Sequence, residues 1–341
     1  MKSHKNASFM SKDVKILLFL AVLTAFSTTV SAQVTHYLGA WAHGGEYSYI
    51  PTYDETQGFE LKTSLGGGGG LGFVYELRAG RHFLLDVGLG ANSAWTRFRV
   101  PDGQYPLHNM IDSEGEVFDY VYEVEHRKDA YWNTSLQVPL LIGGQWGKFY
   151  FLAGAKFDMA IMTNAITKAS VTTGGDYSAT YIMNPEILHN IPSQGFVNDM
   201  PYVDMNPVSF KPNVTASAEI GMRLGDVFNA TGFDVPKQKV QYRIALFADF
   251  GVLDFHRAAP SVTEGQSYEL MHVPATYKAE MPLMGVKATD IMSSKEMADL
   301  GGTFRSFMAG VKFTVLFRVP EKKACVICKD QPFRSTHGLL E

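Results

Sequence analysis

Residues 149–161 read FYFLAGAKFDMAI. Phe149, Phe151, Ala153, Ala155, Phe157, Met159 and Ile161 form one apolar set, and Gly154, Lys156 and Asp158 stand between them. A strand sends successive side chains to opposite faces, so a period of two gathers these apolar groups on one face; a helix would scatter them around its axis. The run exceeds the roughly 9 to 11 residues with which a tilted strand crosses a bilayer.

The same period recurs along the chain. Leu71, Phe73, Tyr75 and Leu77 form one stripe, Phe83 to Ala91 a second at odd positions, and Trp132, Leu136, Val138, Leu140 and Ile142 a third. Val214 to Met222, Tyr242 to Val252 and Phe307 to Phe317 follow the same rule, and Thr35 to His43 is a first strand whose apolar face is ambiguous. That makes eight strands. Arg78 to Arg81 and Gln145 to Lys148 are tight turns, Gly225 to Lys239 is a medium connection, and the other connections run to tens of residues. A sandwich gives no reason for short and long connections to alternate. An antiparallel up-and-down transmembrane β-barrel does, with periplasmic turns at one end and long extracellular loops at the other.

The faces opposite the stripes bear on the same choice. The opposite face of a soluble sandwich would be rich in Lys, Glu and Asp, whereas here it carries Gly, Ser, Thr, Asn and a few charges of both signs. By this parity Glu76, Asp86, Asp158, Glu219 and Asp249 point inward against Lys156, Arg223, Arg243 and Lys312. In a barrel of eight strands such a set pairs internally and fills the lumen; an open channel requires roughly 16 strands. Phe118, Tyr120, Tyr122 and Val124 keep the parity of Trp132 and Leu136, and Ile166 to Thr172 pairs with Asp176 to Tyr181 across Gly174 and Gly175, predicting a sheet that protrudes outside.

Composition narrows the function classes. The chain is 46% hydrophobic and 19% charged, with 32 Gly in no period of three, which excludes disordered and collagen-like chains. A net charge of -4 without a basic stripe argues against a nucleic-acid partner. The apolar run Ile16 to Phe26 is too short for a membrane helix. Preceded by Lys2, Lys5, Lys12 and Lys15 and followed by Val30, Ser31 and Ala32, it reads as a secretory signal cleaved between Ala32 and Gln33. The expected organisation is a signal peptide over 1–32, the barrel over 33–318 and a periplasmic tail over 319–341.

Leu136 to Ile142 (LQVPLLI) followed by a short turn and Phe149 to Ala155 (FYFLAGA) resembles the outer-membrane β-barrel domain family of Bacteroidota, porin-family proteins related in architecture to the small OmpA and OmpX barrels. Ala216 to Leu224 and Ala309 to Phe317 are similar to that family's later strands. The resemblance implies the fold and a place in the outer membrane, among its lipids, after delivery to the barrel assembly machinery; it carries over no active site. Phe317 fills the role of the terminal aromatic of such barrels, yet a tail to Glu341 follows it.

Candidate chemistry is sparse. Gly66 to Gly70 lacks the Gly-Lys-Ser/Thr ending of a phosphate loop and precedes a strand; glycines there let a strand bend or sit beside bulky lumen groups. Cys325 and Cys328 lie in the tail with only His337 near, short of the four ligands of zinc, so an oxidised pair is the default, and docking of the tail to a periplasmic partner is the sharper alternative. No metal or cofactor is expected. The ten His show no paired ligand spacing. A rim enzyme would draw on His43, His126, Asp129, Asp254 and His256, near the outer rim by this reading. Loops carry function on rigid scaffolds. The third, around Asn184 to Asn206, and the fourth, Asp254 to Leu300 with a short helix over Asp290 to Leu300, are therefore expected to bind an extracellular ligand, or to shield the mouth. The expected function is structural or interactive, with no catalysis. The alternative is a small-solute channel, widened by strands hidden in the third and fourth loops.

Overall fold

The computed structural model describes residues 34–54, 59–112, 114–178, 188–189, 195–224, 240–254, 270–273, 283 and 285–320. The signal segment, the Ala32–Gln33 junction, His256 and the Cys325/Cys328 pair lie outside them.

The fold is all-β and antiparallel. Eight strands close into a ring in chain order: β1 (Val34–Thr52), β2 (Lys62–Ala79), β3 (Phe83–Arg99), β5 (Val117–Trp146), β6 (Phe149–Asp176), β9 (Asn213–Arg223), β10 (Val240–Gly251) and β13 (Thr303–Arg318). β13 returns to pair with β1, and β5 pairs with β6 along nearly its whole length, so each of the eight has a neighbour on both sides. Closure leaves no free edge in the ring and satisfies the backbone N–H and C=O groups between strands. At one end the β2–β3 and β5–β6 turns are tight, and Gly80 and Gly147 in them take φ of 64° and 61°, a left-handed conformation that a side chain disfavours.

Beyond the other end the sheet continues. β4 (Gly103–Ile111) pairs with the upper part of β5, while β7 (Leu188–His189) and β8 (Met200–Pro207) pair with the upper part of β6. β11 (Met271–His272) and β12 (Lys287–Ala288) form a separate small pair. A 3-10 turn, Ile291–Ser293, and the short helix α1, Lys295–Asp299, are capped by Asp290 and Ser294. The single helix expected over Asp290 to Leu300 is instead two short pieces, separated by Ser294 in extended conformation. Among the described residues no helix is long and apolar enough to cross a membrane.

Two expectations about the protruding sheet are corrected. There is no hairpin at Gly174 and Gly175: β6 runs straight through to Asp176 against β5, and Ile166 to Val171 pairs with β8 instead. Nor do Phe118, Tyr120, Tyr122 and Val124 share the face of Trp132. A bulge between Glu125 and Lys128, with His126 at φ 56°, inserts one residue into β5 and reverses its alternation. These four side chains are buried, whereas Trp132 is 51% exposed.

Glycines in β2 and β3 make room for the interior. A Cβ at Gly90 would lie 2.3 Å from Trp41 Cζ2, and one at Gly72 would lie 2.6 Å from the same atom. The glycine run ahead of Leu71 sits in β2, with a bulge between Ser64 and Gly67.

Candidate functional site

The ring is polar inside and apolar outside. Every inward charge expected from parity lies on a ring strand, and seven of them, Glu76, Asp86, Lys156, Glu219, Arg243, Asp249 and Lys312, are fully buried. They are arranged in layers. Nearest the turn end, Arg243 donates to Glu76 at 2.5 Å and to Asp86 at 3.1 Å, and its guanidinium stacks on Tyr150 at 4.6 Å. One step along, Lys312 reaches Glu219 at 2.7 Å and lies over the Trp41 ring, and Tyr150 donates to the same carboxylate. Higher still, Lys156 meets Asp249 at 2.6 Å, with Ser217 donating to the other oxygen. Asp158 and Arg223 are half-buried; Asp158 accepts from Thr215 at 2.6 Å.

Arg78 is a member of this set that the sequence reading misses. It is buried, pairs with Glu76, donates to Gln241 at 2.6 Å and stacks on Tyr37 at 3.9 Å. Its parity matches that of Glu76, but the sequence places it in the Arg78 to Arg81 turn; β2 runs one residue past it. With Arg78 the inward acids and bases named here are equal in number. A charge buried without a partner costs several kcal/mol, and ion pairs among eight of these ten offset that cost; Asp158 and Arg223, both half-buried, form no ion pair among the described residues.

At the uppermost charged layer a pocket open to solvent is lined by Tyr47, Asn92, Gln137, Asp158, Asn213 and Asp249. An aromatic layer then closes the ring: Tyr49, Phe98, Tyr131 and Phe304 pack with Ile291, Met292 and Met297 of the 290–300 segment. That segment is clamped by side chains of β5. Arg127 and Asp129, both fully buried, form a two-pronged ion pair at 3.1 and 3.0 Å. Arg127 also donates to the carbonyls of Leu270 and Thr289, and Asp129 accepts from the Ile291 amide at 2.7 Å. Burial alone would depress Arg127, yet the Asp129 carboxylate holds it above its ordinary value. Tyr131 donates to Asp290 at 2.7 Å and accepts from the Met292 amide.

A second apolar core fills the protruding sheet, where Phe118, Tyr120, Phe196 and Tyr202 meet Met271 and Ala288. Tyr202 accepts from the Ala288 amide at 2.9 Å, and burial, against that bond, pushes its phenol up to about 12. On the flank Asp119 takes bonds from His108 and the Asn109 amide; partial burial raises its carboxyl, but these bonds outweigh it and hold it below its ordinary value.

The described residues among those named for a rim enzyme do not converge. His43 is not at the rim: β1 continues nine residues past it to Thr52, and the ring of His43 stacks between Trp41 and Phe247 inside, bonded to Asn92 at 3.1 Å. Asp129 belongs to the clamp. His126 is exposed on the bulge, and Asp254 accepts from the Phe304 amide. Among the described residues no three His, Cys, Asp or Glu side chains cluster as metal ligands would.

The outer surface is the inverse of the interior. Phe73, Leu71, Phe149 and Leu246 are 72, 67, 64 and 63% exposed, and similar residues cover all eight strands. Below the level of Trp95 and Trp132 the outward positions of the described residues carry no charge; the exposed Glu46 of β1 stands at that level, opposite Gly67. Exposed apolar patches on soluble monomers seldom exceed a few hundred Å². No protein-family model matches this chain, and no curated protein matches it.

Proposed function

We propose that the chain is an outer-membrane β-barrel of the small, plugged type, akin to the porin-family barrels of Bacteroidota that its strands resemble. The observation that carries this reading is the inversion of the ring, with paired charges buried inside and an uninterrupted apolar belt outside. Only an apolar solvent stabilises that distribution. Twelve residue steps from Phe149 to Ile161, each about 3.3 Å and tilted about 40°, rise roughly 30 Å, the thickness of a bilayer's hydrocarbon core. In this reading residues 1–32 are the signal peptide, the tight turns face the periplasm, the protruding sheet faces outward, and the protein works by scaffolding or surface contact and has no catalytic role. The charged layers and the clamped 290–300 segment favour a lumen that does not conduct.

Two measurements test this. Protein refolded with zwitterionic vesicles should float with the lipid and migrate faster on a gel when unheated than when boiled. The floated protein should give no stable large openings in a planar bilayer. Failure to float rejects the membrane reading; large steady conductance rejects the plugged lumen and restores the channel.

A further inference from the structure

Just above the apolar belt, register places four cations side by side. Lys62 of β2 stands opposite Arg99 of β3, Arg99 opposite Lys128 of β5, and Lys128 opposite Lys168 of β6. All four are exposed. They lie on the outward face: Arg99 and Lys128 share the parity of Trp95 and Trp132, which are 38 and 51% exposed and stand opposite each other four residues below. Arg97, two residues below Arg99, lays its guanidinium over Trp95 at 4.9 Å.

Directly opposed positions on neighbouring strands bring Cβ atoms within about 4.5–5.5 Å, and like charges there destabilise a sheet. Four in succession is costly unless something negative joins them. Among the described residues the only acid that pairs with the row is Glu60, at 3.5 Å from Lys62; Arg99, Lys128 and Lys168 form no ion pair there. The row also has a definite height, since the aromatic pair marks the top of the apolar belt, where a membrane's headgroups begin.

We infer that this row is a binding site for the phosphate groups of anionic lipids in the facing leaflet. The two central cations, Arg99 and Lys128, share one headgroup phosphate, Lys62 and Lys168 flank it, and the acyl chains lie along Trp95, Trp132 and the belt below. The inference rests on the membrane reading above. The lipid supplies the charge that the sheet lacks, so the protein is complete only in a membrane containing such lipids.

The test uses the full chain with Trp146→Phe, which leaves Trp95 and Trp132 as the lipid-facing tryptophans, inserted in phosphatidylcholine vesicles. Brominated phosphatidylglycerol should quench their fluorescence at a mole fraction about tenfold lower than brominated phosphatidylcholine requires. Adding Arg99→Gln and Lys128→Gln should reduce that preference below about twofold, and Lys128→Gln alone should give an intermediate value. Faster migration of the unheated variants on a gel shows that they are folded. Equal quenching by both lipids, or a preference that survives in the folded double variant, overturns the inference. If inorganic phosphate at matched concentration abolishes the preference, the row binds soluble anions and the lipid assignment is wrong. Failure of the unsubstituted row to insert at all rejects the membrane reading itself, a distinct result seen by flotation before any quenching is read.

Discussion

Arg243→Met tests the logic of the interior most directly. Arg243 is fully buried and, among the described residues, is the one cation that contacts both Glu76 and Asp86, which stand opposite each other on β2 and β3. Its removal leaves Glu76 with Arg78 but leaves Asp86 with no ion-pair partner. Breaking a buried pair from one side costs about 3–5 kcal/mol, and loss of the stacking on Tyr150 adds about 0.5–2 kcal/mol. We expect a loss near the top of the first range, about 5 kcal/mol. A second substitution separates charge from packing. Asp86→Asn in the Arg243→Met background removes the stranded carboxylate, so the pair of changes should be less harmful than their sum by at least about 1.5 kcal/mol. Urea titration in vesicles, with folded and unfolded species separated on an unheated gel, measures each variant. A loss below about 1 kcal/mol for Arg243→Met, or additivity within about 0.5 kcal/mol for the pair, would refute the claim that mutual charge compensation holds this layer together.

Three further outcomes follow from the geometry. Gly90→Ala places a Cβ 2.3 Å from Trp41 and should cost about 1–3 kcal/mol by overpacking, read as a lower urea midpoint. Tyr131→Phe removes the hydroxyl shared by Asp290 and the Met292 amide, leaving buried groups unmet at about 1–3 kcal/mol. Hydrogen exchange should then quicken over 290–299 while the ring strands stay protected; unchanged exchange would mean that the clamp lies elsewhere. Because Tyr202 has its phenol raised, the fold favours its neutral form. That contribution is present below pH 10 and is lost as pH rises through about 12. The difference in tyrosinate absorbance between the wild type and Tyr202→Phe should therefore appear near 12; a difference near 10 would show Tyr202 to be in contact with water.

The strands and most of the interior charges were legible because an uninterrupted period of two needs no tertiary information. Lys156 and Asp158 alternate with Phe157 whatever surrounds them, and their facing follows from which set is apolar. What escaped depended on single residues. Arg78 was lost because a strand end and a turn look alike when the turn carries charged residues. The reversal of β5 was lost because one inserted residue at His126 leaves no mark in composition. The sequence sets His43 at the rim because the outward stripe of β1 fades past Leu38 into Ala40, Ala42, Gly44 and Glu46, too faint to show that the strand continues to Thr52. The clamp on the 290–300 segment joins residues more than 150 positions apart, a pairing that local pattern cannot reveal.

The bulge at Glu125 to Lys128 sets a rule of counting for this molecule. Below it, β5 turns its greasy side chains away from the axis; above it, the same strand turns them toward the axis, as a water-soluble protein would. A single extra residue thus rewrites one strand for two different surroundings, and it does so at the height of the Lys128 row. Length changes in the protruding sheet are consequently not interchangeable. Adding or deleting two residues above the bulge only lengthens or shortens the strand, whereas adding or deleting one cancels the inversion and presents Phe118, Tyr120 and Tyr122 to the outside. The upper sheet can vary in even steps, and odd ones must arrive with a second bulge.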